Sequence, residues 1–293
     1  MKLIIKILLA GFVMILFFAC SEINNNIETA PEISVHKKGI LDEASPDFHG
    51  NLVRILNWNI SACWQCHAND YSGGITGASC LKCHTEADGP EACNTCHGDP
   101  NNPDRIAPPE DLNGNTSTSS RGVGAHESHV YNNQLTENFR CSNCHRFPSG
   151  GFADPTHIDG DNRAEIIFGR IAVTGEGINS SYDYGNGNCS NTYCHGNFVF
   201  YRDSSEYSWA YEDSIITGNN VTVNWTSVGQ SQAECGSCHG LPPTGHITTI
   251  TINQCGYCHE GIVDESGNLV DSLKYKHING EIDFELPASL QLF

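Results

Sequence analysis

Residues 63–97 read CWQCHANDYSGGITGASCLKCHTEADGPEACNTCH, three Cys-x-x-Cys-His motifs in close succession: Cys63-Cys66-His67, Cys80-Cys83-His84 and Cys93-Cys96-His97. Two thiols that add to the two vinyl groups of one porphyrin need this separation. The imidazole next in the chain then lies under the ring, where it can ligate iron. The pattern predicts covalent attachment of haem c, and it recurs at Cys141-Cys144-His145, Cys235-Cys238-His239 and Cys255-Cys258-His259. A seventh set, Cys189-Cys194-His195, has four residues between its cysteines and demands a bulged loop. The seven sets use fourteen cysteines, and Cys20 is the fifteenth. Zinc sites and disulfide frameworks also use paired cysteines. Neither needs a histidine directly after every second cysteine, so seven covalently attached haems are expected.

Fourteen histidines are present. Beyond the proximal candidates His67, His84, His97, His145, His195, His239 and His259, seven remain as candidate distal ligands: His36, His49, His126, His129, His157, His246 and His277. The two methionines, Met1 and Met14, lie in the leading apolar segment. Bis-histidine, low-spin haems of comparatively low potential are therefore expected rather than His/Met ones. His126 and His129, three residues apart in AHESHVY, fall on one face of a short helix, where they could serve two haems side by side. The residues alone leave the pairing of distal histidines with haems open.

Lys2 and Lys6, the apolar run Ile7 to Phe18 and the pair Ala19-Cys20 read as an export signal ending in a lipid-modified cysteine. Phe17 stands where such signals usually carry leucine. Expected divisions are a lipoprotein signal peptide (1–19), a polar tether (20–45), a tri-haem module (46–110), a single-haem segment (111–180) and a second tri-haem module (181–293). The formal charge of −19 becomes −21 when Lys2 and Lys6 leave with the signal. No nucleic-acid partner is expected of so acidic a chain, and a docking partner should offer Lys, Arg or a metal cation.

With 29 glycines and 39% hydrophobic residues, the chain lacks the side chains for an ordinary core. Haem faces are expected to bury Trp58, Trp64, Trp209 and Trp225. The fold class expected is a multihaem cytochrome c, mostly irregular, with short helices around stacked haems and a small β element near 197–228. There NFVFY and NVTVNWTSV flank a GNN turn. Residues 164–175 (AEIIFGRIAVTG) read as extended, and the HIDGDN segment with Asp159 and Asp161 reads as a polar turn rather than a calcium site.

The runs CSNTYCHG (189–196), ECGSCHGLPPTGH (234–246), QCGYCH (254–259) and KHINGEID (276–283) resemble the CxxxxCH/CxxCH multihaem cytochromes of metal-reducing bacteria. Earlier segments, FHG, GVGAHESH and HIDGD among them, are similar to the N-terminal part of the same lipoproteins. The resemblance implies electron carriage across or outside the bacterial envelope, toward other redox proteins or cytochromes, an outer-membrane porin–cytochrome complex or a metal oxide. It implies an exported, outer-membrane lipoprotein on the periplasmic or cell-surface face, and it supports His246 and His277 as ligands. The expected function is a bis-His electron carrier without catalytic residues. Alternatives are a multihaem reductase with one open haem, or a haem-filament protomer with His36 ligating a neighbour's iron.

Overall fold

The computed structural model describes residues 35–284, apart from Pro109, Asn162 and Glu260. The expected signal peptide, Cys20 and the first part of the tether lie outside the described residues. Among the described residues no helix is long and apolar enough to cross a membrane. The chain divides into two units, Met1–Ile60 and Ser61–Phe293.

In the first unit, turns lead to the helix His49–Ile55. Lys37 Nζ bonds Asp47 Oδ1 at 2.9 Å across these turns. Arg54 sits in the last helical turn, where a cation suits the carbonyl end of the dipole. None of the helix residues is buried.

The second unit is mostly irregular, with two small sheets and helical turns of a few residues. Gly, Asn, Ser and Pro break every helical period before it reaches the length at which a helix sustains itself. Among the described residues, six of the seven cysteine motifs carry a short helical turn, and Cys235–His239 carries none. Trp64–His67 and Cys93–Cys96 are single α-turns, while Cys80–Lys82, Cys141–Asn143, Tyr193–His195 and Ile252–Tyr257 are 3-10 turns. Three strands, β1 (Ser181–Asp183), β2 (Asn188–Ser190) and β5 (Val223–Asn224), form one antiparallel sheet in the order β1-β2-β5. Strands β3 (Val199–Tyr201) and β4 (Ile215–Thr217) form the other, with Phe200 opposite Ile216.

The β element thus begins earlier than 197 and is paired otherwise than expected. NFVFY pairs with Ile215–Thr217, while Val223–Asn224 joins the CxxxxCH strand β2. Gly218, Asn219 and Asn220 make no hairpin turn. Asn219 N–H donates to Cys238 O and Asn220 N–H to Gly196 O, so this loop docks onto two cysteine motifs. Residues 164–175 are extended only at their start, where Ile166 bridges His145; Arg170–Val173 is a 3-10 turn that buries Ile171 and Ala172.

Among the described residues the buried apolar side chains are Ala92, Ala107, Val123, Ile171, Ala172, Tyr211, Ile216, Val223 and Ile262. Three are alanines and they are scattered along the chain, so protein side chains alone make no continuous core. Specific polar contacts join the segments instead. Arg105 pairs with Glu127 and lies 4.5 Å over the Tyr131 ring, and Tyr131 Oη accepts from Ala107 N–H at 2.7 Å. Replacing Tyr131 by Phe leaves that N–H unpartnered beside buried Ala107. We expect a loss of about 1–3 kcal/mol, read as a lower thermal midpoint with haem content unchanged. An unaltered midpoint would show the bond to be dispensable.

Candidate haem-binding sites

The fourteen described cysteines are all free thiols, so no disulfide framework is formed among the described residues. Burial pushes the thiols up: Cys96 and Cys144 to about 11, Cys189 and Cys194 to about 12. These are neutral thiols in poorly solvated sites, unlike the activated thiolates of catalytic cysteines. The motifs are neighbours in space as well as in sequence. Cys63 lies close enough to Cys80 to influence its ionisation, Cys144 acts likewise on Cys189 and Cys194, and Cys238 on Cys194.

The CxxxxCH loop is held by strand and turn together. Cys189 sits in the middle of β2, opposite Tyr182 and Val223, and the chain then crosses Asn191 at a φ of 57° into the Tyr193–His195 turn. The four intervening residues are spent on leaving the sheet and entering the helical turn. Gly196 follows with a φ of 87° and packs its backbone on the Cys238 carbonyl, bringing the CxxxxCH and the next CxxCH together.

The histidines share one hydrogen-bond pattern. His67, His97, His145, His239 and His259 place Nδ1 on the carbonyls of Ala78, Ile106, Glu165, Gly240 and Asp283 at 2.8–3.0 Å. Outside the motifs, His49, His126, His129, His246 and His277 do the same with Ile40, Val123, Ala125, Ile247 and Leu135 at 2.7–3.1 Å. A carbonyl only accepts, so the proton sits on Nδ1, the tautomer whose Nε2 carries the lone pair that a metal would take. Burial reinforces the neutral form, holding His97, His129 and His277 below the ordinary histidine value and taking His126 and His195 down to about 4. His195 differs in that its Nδ1 is buried without a hydrogen-bond partner, as is the neighbouring Thr192 Oγ1. His36 and His157 are exposed, and His84 is half-buried.

Imidazoles approach one another in pairs: His126 with His145 at a centroid distance of 6.1 Å, His129 with His195 at 6.3 Å, and His239 with His277 at 6.1 Å. The anticipated side-by-side placement of His126 and His129 lies at the π-helical turn Glu127–Tyr131, with His126 as its N-cap. His277 is reached from far along the chain. The Asn133 carbonyl accepts from Lys274 Nζ and that of Leu135 from His277 Nδ1, beside Thr136, which is 1% exposed.

These residues fit haem c. Ligand atoms of zinc sites converge on a point. Among the described residues, the set of three or more such atoms within 4.8 Å is Asp159, Asp161 and Glu165, all exposed and none from a cysteine motif. Asp159 Oδ1 there accepts from Asp161 N–H and Asp161 Oδ1 from Arg163 N–H, the geometry of a polar turn. At Cys141 the chain instead leaves an open, apolar cleft of about 300 Å³ between Ile106, Ala107, Val130, Phe139 and Phe147. Aromatic rings flank the histidines elsewhere: Phe198 lies 6.3 Å from His239 and Phe284 6.5 Å from His259. Trp64 and Trp209, large apolar rings, are 39% and 50% exposed.

Sequence reasoning passed over Trp225 except as packing, and it gave no role to Gly196 or Gly124. For the glycines the signal was their place within two residues of a candidate ligand, in CHG and GAH. No curated protein and no solved structure matches the chain. Residues 188–239 match the family model described as the Geobacter CxxxxCH...CXXCH motif, so this stretch is similar to the CxxxxCH/CxxCH multihaem cytochromes and the motif implies covalent haem c binding.

Proposed function

We propose that the chain is a seven-haem, bis-histidine c-type cytochrome that carries electrons in or across the bacterial envelope. The observation that carries this reading is the shared Nδ1-to-carbonyl bond of ten histidines, five inside the cysteine motifs and five outside them. A metal-ligating histidine commonly donates its other ring N–H in this way, which fixes the tautomer and the ring orientation. The repetition of that bond on both sets supports axial ligation from two sides.

When bound, haem c supplies reversible one-electron chemistry at iron. The chain's own residues contribute the covalent and axial attachment points and the neutral imidazoles. They also contribute the close approach of one motif to the next, seen in Cys144 against Cys194 and Cys194 against Cys238. Catalysis would need an iron position left open to a substrate, and seven histidines stand outside the motifs to close seven. The lipid anchor at Cys20, the outer-membrane location, and an acceptor such as a porin–cytochrome complex or a metal oxide belong to the same proposal. The acidity of the chain favours a cationic docking surface.

The test is the intact mass and the ferric spectrum of protein extracted from the envelope of a host that matures c-type cytochromes. A lipidated chain beginning at Cys20 with seven haems, all low-spin, is expected. Six haems would remove the Cys189-Cys194 site, and a high-spin fraction would turn the reading toward a reductase.

A further inference from the structure

The three imidazole pairs have a property that local packing does not require: each joins a histidine of a cysteine motif to one outside the motifs. Two imidazoles about 2.0 Å from one metal on opposite sides, each ring centre roughly 1.1 Å beyond its nitrogen, have centroids about 6.2 Å apart. The observed separations are 6.1, 6.3 and 6.1 Å. Resting on the multihaem reading above, we infer that His126 closes the iron of the Cys141-Cys144 motif opposite His145, His129 that of Cys189-Cys194 opposite His195, and His277 that of Cys235-Cys238 opposite His239. One helical turn then supplies the distal ligands of two different irons.

Trp225 is the positioning residue for that turn. Its ring meets His126 edge-on at 4.8 Å and His129 at 5.6 Å. It is itself fixed from two sides, Nε1 donating to Arg121 O at 2.8 Å and its backbone N–H to Gly187 O at 2.8 Å. Gly124, at a φ of 45°, leaves the space the indole occupies, since a Cβ there would overlap the Trp225 ring. The indole therefore links the AHESH turn to the hairpin that carries Cys189, and it limits how either imidazole can rotate.

Rotation matters because the ligand planes differ. His126 and His145 lie 26° apart, whereas His129 and His195 lie 65° apart and His239 and His277 72°. Near-parallel imidazoles direct their π overlap at the same one of the two iron d orbitals available to them, shift its energy relative to the other and so split the pair widely. Near-perpendicular imidazoles act on both alike and leave them almost degenerate. The first arrangement gives a rhombic ferric resonance, and the second a strongly anisotropic one with a large principal g value.

The experiment is electron paramagnetic resonance of the oxidised holoprotein and of its His126→Met and His129→Met variants, with intact mass to count haems. His126→Met is expected to remove one haem's worth of rhombic signal, and His129→Met one haem's worth of large-g signal. Each should add the near-infrared charge-transfer band of thioether-ligated ferric haem. In a Cys141→Ala/Cys144→Ala background, which lacks one haem, His126→Met should add no such band while His129→Met still does. Trp225→Leu should broaden both signals at constant haem count.

A thioether band from His126→Met in that background would overturn the pairing. Loss of the same signal in both Met variants would overturn the assignment of planes, and unaltered spectra in Trp225→Leu would overturn the role of Trp225. Should a Met variant not accumulate, the Gly variant with imidazole in the medium reads the same site through return of its signal. A parent protein without covalent haem would instead sink the reading beneath, and the mass reports that separately.

Discussion

Made in a host without the machinery for c-type haem attachment and kept reduced, the chain is expected to remain unfolded: coil-like far-UV circular dichroism, no cooperative melt, and proteolysis throughout residues 61–284. The physical reason is what fills the interior. Ordering each backbone residue costs about 1–2 kcal/mol, while fully burying an aliphatic or aromatic side chain returns about 1.5–3 kcal/mol. The buried apolar residues among those described include three alanines and are scattered between Ala92 and Ile262. The helical turns at the motifs span three to six residues and the strands two or three, below the lengths at which such elements persist alone. Covalent haem would supply both the missing apolar surface and, through its thioethers, a reduced entropy of the unfolded chain. A cooperative thermal transition in haem-free protein would show that a side-chain core exists after all.

The same imbalance explains which parts of the molecule could be read from the amino acids. Cys63-Cys66-His67 and its repeats are legible because attachment chemistry is local: the residues that react with one porphyrin must be adjacent in sequence. The tautomer of each histidine was not legible. Its acceptor is the carbonyl of whichever backbone passes by, Leu135 for His277 and Glu165 for His145. Nor was the partner of each ring, since His129 meets His195 and His239 meets His277 across long irregular stretches with no periodicity to extrapolate. Spacing did bring His126 and His129 to one turn, because three residues on a helix always share a face.

The β elements teach a related lesson. Alternation in NFVFY announced a strand, but its partner Ile215–Thr217 lies on the near side of the GNN segment that resembled the turn. Asn219 and Asn220 are spent on the carbonyls of Cys238 and Gly196, so side chains and backbone that would close a hairpin instead tie the two cysteine motifs. The hairpin of β1 and β2 carries no apolar run at all. Its signal was the Tyr184–Gly187 turn, rich in Gly and Asn, between two three-residue strands, and the CxxxxCH spacing is its consequence. In a chain without a side-chain core, hydrophobic patterning is a poor guide and the backbone hydrogen bonds of the motifs become the better one.

Replacing Gly196 by Ala is expected to cost on the order of 4 kcal/mol, from backbone strain together with overpacking. Gly196 has a φ of 87°, a conformation that L side chains rarely adopt, and a Cβ there would overlap the carbonyl oxygen of Cys238. That obstacle is backbone, not the flexible end of a side chain. It is held by Asn219 N–H at 2.9 Å, while the Gly196 carbonyl is held by Asn220 N–H at 3.0 Å and crowded by Gly218. Relief requires moving Cys238, and with it His239 and the contact to His277. Gly229→Ala is the control: its φ is 76°, yet nothing lies within 4 Å of the added Cβ, so it carries the strain alone. Thermal unfolding of the two holoproteins should show Gly196→Ala lowered well beyond Gly229→Ala, with a disturbed ferric signal at the His239 site that the control lacks. Equal midpoints would mean that the CxxxxCH loop and the next motif are not locked together, and that their closeness owes nothing to this glycine.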